Sequence, residues 1–205
     1  MIERAIQVSN RMSLENLRRE LGRTWIIVLF GFVYLVSQVT IIVILGPIED
    51  AMLNLQVTGT SVADYLAVFG AWEASGDMAI YRAHFLLDDF HWIWYTIFIT
   101  ASLSRLFDRF EISSKYNWFL LLPLASGLLD WYENRLQHFF LSSEGFTTIF
   151  DPLPLYSTLA SDVKWVLALL YLGTTIVLAA RLAFGSKRSA SMAPNQTSQG
   201  VTKAA

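Results

Sequence analysis

Polar side chains recur at helical spacing inside three apolar stretches of the sequence. In the first stretch the polar positions are separated by four, three, four and seven residues, which places them on one helix face. These positions are His84, Asp88, His91, Tyr95 and Ser102. The second stretch has Ser126, Gly127, Asp130, Glu133, Asn134 and Gln137, and the third has Ser157, Ser161, Lys164, Ala168, Tyr171 and Thr175. Carboxylates facing a lysine, with a phenol and an amide nearby, are groups that carry acid–base chemistry or hold a polar ligand.

The elements that must position these stripes are membrane-spanning helices. Of the 205 residues, 54% are hydrophobic and only 16% are charged, whereas soluble domains carry about 25% charged residues. Four segments approach the roughly 20 apolar residues that a span requires, at about 25–45, 81–103, 118–140 and 156–180. The sequence therefore predicts an all-α fold, a four-helix transmembrane bundle that forms a single domain over residues 1–184.

Composition also excludes several classes of function. The chain has no cysteine, which removes disulfides, thiolate metal sites and cysteine nucleophiles. Its net charge of −2 gives no electrostatic basis for binding nucleic acid. His84 and His138 could hold a haem, and His91 with Asp88 and a carboxylate of the third span could hold a divalent metal, but neither spacing is a recognised ligand motif. We therefore expect no cofactor and no metal.

The distribution of basic residues predicts the orientation of the chain. Positive charge is concentrated on cytoplasmic segments of membrane proteins. The basic residues outside the spans are Arg4, Arg11, Arg18, Arg19, Arg23, Arg105, Arg109, Lys115, Arg181, Lys187, Arg188 and Lys203. The connections 46–80 and 141–155 carry none. Both termini are therefore predicted to be cytoplasmic, in a multi-pass protein of the inner membrane.

The remaining segments are predicted to be peripheral. Residues 13–17 and the Arg and Glu residues that follow resemble a short amphipathic helix on the cytoplasmic surface. Residues 61–72 space their apolar side chains at helical intervals, which predicts a second interfacial helix on the outer face. The Ser-, Gly-, Ala- and Gln-rich residues 185–205 are predicted to be a disordered tail.

Depth brings the charged residues of the three stripes to one level. With a rise of 1.5 Å per residue, Asp88 lies roughly 10 Å along its span and Lys164 roughly 12 Å along its own. Asp130 and Glu133 lie roughly 10–15 Å from the outer end of the third span. A lone charge at this depth costs at least roughly 2.5 kcal/mol, so these groups should meet inside the bundle. We predict that Lys164 pairs with Asp130 or Glu133, close to Asp88.

The predicted site assigns roles to ten residues. The catalytic candidates are Asp130, Glu133, Lys164 and Asp88, and the ligand-binding candidates are Tyr95, Asn134, His91, Ser161, Trp131 and Trp165. The alternative is structural, because polar contacts also hold helices together in membranes, at roughly 0.6–2 kcal/mol each. One pair would be enough for that purpose, so several converging polar groups favour a functional site.

Residues 122–134 carry a motif that resembles one in known proteins. The run from Leu122 to Asn134 is similar to the Leu-Pro-x-x-x-Gly-x-x-Asp-x-x-Glu-Asn signature of a group of uncharacterised bacterial four-span membrane proteins. That group also has Asp, then Pro and Tyr four and seven residues later, which Asp88 and Tyr95 match while Trp92 replaces the Pro. Residues 159–165 resemble the Ser/Thr-rich stretch before Lys-Trp in its fourth span. The resemblance implies a four-helix membrane fold with a shared polar cluster, and implies no activity.

Three functions are compatible with these features. The first is a site that binds, and in its stronger form chemically transforms, a lipid-like or small amphiphilic ligand from the outer leaflet, with Asp130 or Glu133 as acid or base. The second is a proton- or ion-coupled transporter. The small size of the chain and its lack of inverted repeats argue against this function, although a homodimer could compensate. The third is a non-catalytic assembly or sensor subunit. Membrane lipids are the partners expected in every case.

Overall fold

A computed structural model describes the backbone of residues 14–191 and the side chains of residues 14–184, and all regular secondary structure in this part of the chain is helical, without strands. Helix α1 covers residues 14–21. The following helices are α2 (Thr24–Leu45), α3 (Glu49–Thr58), α4 (Val62–Ser75), α5 (Met78–Arg109), α6 (Leu122–Phe140) and α7 (Leu153–Ser191). Short 3-10 helices occupy Gly46–Ile48, Ser114–Leu121 and Glu144–Phe146. The predicted all-α fold is confirmed.

Two stretches of helix are long and apolar enough to cross a membrane. They run over Thr24–Thr58, which joins α2 and α3 through the first 3-10 turn, and over Leu153–Phe184 of α7. Most of their apolar side chains lie on the outer surface of the bundle, as Phe32, Val43 and Leu169 do. A soluble protein rarely exposes so large an apolar surface to water, whereas lipid is a suitable solvent for it.

The other two predicted spans have different boundaries from those expected. Helix α5 extends beyond residues 81–103, by three residues at its start and by six at its end. The segment 118–140 is not one helix, because Ser114–Leu121 is a 3-10 helix and α6 starts only at Leu122. Pro123 explains this start, since proline has no N–H to donate and is accommodated in the first turn of an α-helix. The polar stripes keep both α5 and α6 less apolar than α2 and α7.

The long helices pack in a row that is not closed. Helix α5 packs between α2 and α6, α6 packs against α7, and α3 crosses over α7. Helix α5 also reaches α7, but α2 and α7 hardly touch each other. An opening is therefore left between α2 and α7, next to α3.

Two apolar clusters lie on either side of the polar level of the bundle. One contains the ends of α2 and α5 together with α3 and α4, and its largest fully buried members include Tyr65, Phe69 and Phe140. The other contains Ile99, Leu103 and Leu120 with part of α7. The polar stripes occupy the helix turns between these clusters.

The connection between α2 and α5 is more ordered than the sequence predicts. The predicted helix at 61–72 exists as α4, but its aromatic face is buried in the first apolar cluster rather than lying free at an interface. A capping box starts α4, with the Ser61 hydroxyl accepting from the Asp64 N–H and the Asp64 carboxylate accepting from Ser61. Helix α3, which was not predicted, precedes it.

The N-terminal helix is fixed to the connection between α5 and α6. Arg18 donates to Asp108 Oδ1 at 2.6 Å, to the Ile112 carbonyl at 2.8 Å and to Asn117 Oδ1 at 3.0 Å. The predicted amphipathic helix is thus helical from residue 14, and Ser13 lies outside the described residues. At the other terminus, α7 continues to Ser191, so the segment predicted as a disordered tail from residue 185 begins as helix. Residues 192–205 lie outside the described residues.

Candidate functional site

The centre of the polar level is a lysine bound by two carboxylates. Lys164 Nζ of α7 donates to Asp130 Oδ1 at 2.8 Å and to Glu133 Oε2 at 2.6 Å, both on α6. The two acids are three residues apart and therefore face the same side of α6. All three side chains are buried, Glu133 most completely at 1% exposure. The sequence predicted that Lys164 pairs with Asp130 or with Glu133, and in the structure it pairs with both.

Asp88 joins this group through an amide rather than through the lysine. Asn134 Nδ2 donates to Asp88 Oδ2 at 2.9 Å and to the Asp88 backbone carbonyl at 3.2 Å. Close approach of α5 to α6 makes this contact possible, because a Cβ at Gly127 would lie only 2.5 Å from Thr96 Oγ1. Asn134 carries no charge, so the Asp88 carboxylate is hydrogen-bonded but not neutralised by it.

A cavity of about 380 Å³ lies beside these groups. Its polar wall includes Asp88, His91, Tyr95, Asp130 and Lys164, which are five of the ten predicted site residues. Its apolar wall comes mainly from α2, α3 and α7 and includes Ile41, Ile42, Leu45, Met52, Leu53, Trp165, Ala168 and Leu172. Several of these apolar side chains are also exposed on the outer surface, so the cavity opens sideways between α2 and α7.

Two buried hydroxyls in this region have no hydrogen-bond partner among the described residues. They are Tyr95 Oη, whose residue lines the cavity, and Ser161 Oγ, whose residue is fully buried but is not part of the cavity wall. A buried polar atom left unsatisfied costs about 1–3 kcal/mol. The free hydroxyl of Tyr95 therefore favours a polar guest in the cavity.

The remaining predicted residues are placed differently from one another. Glu133 and Asn134 are buried behind the cavity wall, where they hold Lys164 and Asp88. Trp165 lines the cavity, with the Lys164 ammonium 5.8 Å from the centroid of its ring. Trp131 is 45% exposed on the outside of α6 and does not line it. The prediction that Trp131 contacts a ligand is therefore corrected, because the outer face of α6 that carries Trp131 does not border the cavity, whereas the face of α7 that carries Trp165 does.

The histidines have partners that leave little room for a metal. His91 is bonded through Nδ1 to Ser37 Oγ at 2.8 Å and through Nε2 to Gln38 Oε1 at 3.1 Å. Nδ1 of His84 donates to the Tyr81 carbonyl, and His138 is bonded to the Asp89 carboxylate. Across the described part of the chain, no three His, Asp or Glu residues are grouped closely enough to hold a metal ion.

A second polar group lies outside the cavity. Asp89 accepts from Arg135 Nη2 at 2.5 Å and from His138 Nε2 at 2.9 Å. Arg135 and His138 are partly exposed on α6. Asp88 and Asp89 are therefore adjacent in the sequence but lie in different places. Asp88 lines the cavity, whereas Asp89 is bonded to Arg135 and His138 outside it.

Sequence reasoning missed the contribution of the first span and of the segment after it. Tyr34 and Gln38 of α2, and Glu49 and Gln56 of α3, all line the cavity. The signal was present in Ser37-Gln38, the polar pair inside an otherwise apolar helix. That pair bonds to His91 and so fixes α2 to α5 at the level of the site.

Comparison with known proteins assigns no function to this chain, so a function has to be argued from the geometry of its residues. No protein-family model matches the chain, and neither does any curated protein or solved structure. The resemblance of residues 122–134 to the signature of four-span bacterial membrane proteins therefore stays a prediction.

Proposed function

We propose that this chain is a four-span protein of the inner membrane that binds a lipid-like or small amphiphilic ligand in the cavity. The spans would be α2, α5, α7 and the unit formed by α6 with the 3-10 helix before it. Both termini would be cytoplasmic. In a stronger form of this proposal, the protein also catalyses a reaction of the bound ligand.

The surface of α5 and α6 supports four spans. Helix α5 has 32 residues, or about 48 Å, which exceeds the roughly 30 Å of a hydrocarbon core. Outward positions on these helices are apolar, as at Leu86, Phe90, Leu124 and Leu128. The polar stripes of these helices, such as His84 and His91 on α5 and Glu133 and Gln137 on α6, face inward, and such an arrangement suits helices surrounded by lipid.

The observation that carries the functional proposal is the division of the cavity into a polar and an apolar part. Asp88, Tyr95 and Lys164 lie on one wall, while Ile42 and Leu172 lie at the opening between α2 and α7. An amphiphile has the same division, and a molecule in the bilayer could enter sideways with its chain in the opening. Ligand sites with mostly apolar walls and a few converging polar groups are the usual form of small-molecule pockets.

The same geometry favours binding over transport across the membrane. The polar level lies between two apolar clusters, one around Phe69 and Phe140 and the other around Leu103 and Leu120. A polar solute passing along the bundle axis would have to displace these side chains. If there is catalysis, Asp130 and Asp88 are better placed than Glu133 to act as acid or base, because they line the cavity.

Native mass spectrometry with a pair of cavity variants tests the proposal. Ala168 lines the cavity, so Ala168→Phe should fill part of it, whereas Ala179 is exposed on the same helix. We expect lipid-like adducts on the wild-type chain and on Ala179→Phe, and their loss from Ala168→Phe. Equal adducts on the two variants would contradict a ligand in this cavity.

A further inference from the structure

The charges around the cavity are unbalanced. Lys164 is the one Lys or Arg in the cavity wall as far as the side chains are described, and both Asp130 and Glu133 already accept from its ammonium. Asp88 adds a carboxylate to the wall, and Glu49 adds another at the α3 side. Carboxylates therefore outnumber ammonium groups at this site.

Asp88 has an acceptor oxygen that remains available to a ligand. Its Oδ2 accepts from Asn134, whereas no described side chain bonds to Oδ1. The nearest cation, Lys164, is already shared by two other acids and is not within ion-pair distance of Asp88. A charge held at this depth without a counter-ion is costly, and a cationic guest beside Asp88 would supply one.

Other groups in the wall also suit a positively charged guest. Tyr95 Oη is buried without a partner and can accept a hydrogen bond. Because Nδ1 of His84 donates to the Tyr81 carbonyl, Nε2 of the neutral ring is an acceptor. The rings of Tyr34, Tyr95 and Trp165 line the cavity, and aromatic faces attract cations.

We propose that the head group held in the cavity is a cation, a protonated amine or a quaternary ammonium, carried on a hydrocarbon chain that lies in the opening between α2 and α7. The head group lies against Asp88 and Tyr95. An anionic head group meets Asp88 and Asp130 as like charges and finds Lys164 already occupied. This inference rests on the proposed function and names the ligand class for the same cavity.

Three amphiphiles with equal chains test the charge of the head group. The full chain, in micelles of the non-ionic detergent dodecyl maltoside, is incubated with equal mole fractions of dodecyltrimethylammonium, dodecanol and dodecyl phosphate, and the retained amphiphile is measured by native mass spectrometry. We expect the ammonium to be retained at least about tenfold more than either the alcohol or the phosphate, equivalent to about 1.4 kcal/mol. Similar retention of all three, or a preference for the phosphate, overturns the inference.

A matched pair of variants locates the effect. Asp88→Asn removes one charge from the cavity and preserves the shape of the side chain, whereas Asp89→Asn removes the same charge from the carboxylate bonded to Arg135 and His138. Asp88→Asn should reduce ammonium retention about tenfold, and Asp89→Asn should leave it unchanged. Equal effects of the two variants overturn the inference.

The outcomes separate this inference from the proposed function. If ammonium and dodecanol are retained equally and both are lost in Ala168→Phe, the cavity binds amphiphiles and the cationic preference is wrong. If the wild-type chain retains none of the three amphiphiles, the proposed function fails and the inference fails with it.

Discussion

Replacing Lys164 by methionine removes the ammonium that two buried carboxylates share. Asp130 and Glu133 would then lie close together without a cation, at 7% and 1% exposure. Breaking a buried ion pair costs about 3–5 kcal/mol in soluble proteins. Polar contacts between helices in membranes are worth about 0.6–2 kcal/mol each. Because Lys164 makes two contacts, we expect Lys164→Met to lower the free energy of unfolding by about 2–4 kcal/mol.

The single carboxylate variants should be milder. After Asp130→Asn or Glu133→Gln, Lys164 still has one charged partner, so each change should cost about 1–2 kcal/mol. The double variant Lys164→Met with Glu133→Gln leaves only one uncompensated carboxylate, and it should recover part of the stability that Lys164→Met loses. The resulting coupling energy measures the contact directly.

Thermal unfolding of the purified chain in a mild detergent provides the measurement. For a chain of this length, a loss of about 3 kcal/mol should lower the Tm by about 6–12 °C. Lys115→Met is the matched control, because Lys115 is exposed in the connection between α5 and α6. If Lys164→Met changes the Tm no more than Lys115→Met does, or if the coupling energy is zero, the buried group of three charges does not exist as described.

Three other properties follow from the structure. Gly127→Ala should destabilise the chain by about 1–3 kcal/mol, because the added Cβ would meet Thr96. Gly173→Ala is the control, because a Cβ at Gly173 would meet no atom within 4 Å. Equal Tm values for the two variants would refute the close approach of α5 to α6. Reporters inserted at Gly76 and after residue 184 should lie on opposite sides of the membrane, and the same location for both would end the four-span topology. Hydrogen bonds from the Ser61 hydroxyl and backbone, and from the Thr60 N–H, lower the pKa of Asp64. The capping box therefore stabilises the start of α4 above the ordinary pKa of Asp, and this stabilisation is lost as the pH falls through the lowered pKa. Relative to the intrinsic exchange rate at each pH, protection of the amides at the start of α4 should fall in acid in the wild type but not in Asp64→Asn.

The sequence alone determined which residues face inward on the three helices that carry polar stripes, α5, α6 and α7. Every polar member of the α6 stripe, from Ser126 to Gln137, is buried. This could be predicted because the direction of a side chain around its own helix depends on a local period of 3.6 residues. Lys164 and the carboxylates of α6 were expected at a similar depth in the membrane, and the contact predicted from that depth is present.

The tertiary structure decided which neighbour each side chain meets. Trp131 and Trp165 each follow a charged stripe residue directly, yet only Trp165 lines the cavity, because α7 borders the opening toward α2. Asp88 contacts Asn134 rather than Lys164 because α5 approaches α6 closely at Gly127.

The rotation of each helix about its axis and its distance from its neighbours depend on contacts between residues far apart in the sequence. The wall supplied by α2 and α3, including Gln38 and Gln56, depends on the same long-range packing. Local periodicity specifies the inward face of a helix, but the partner across that face is set only when the helices pack together.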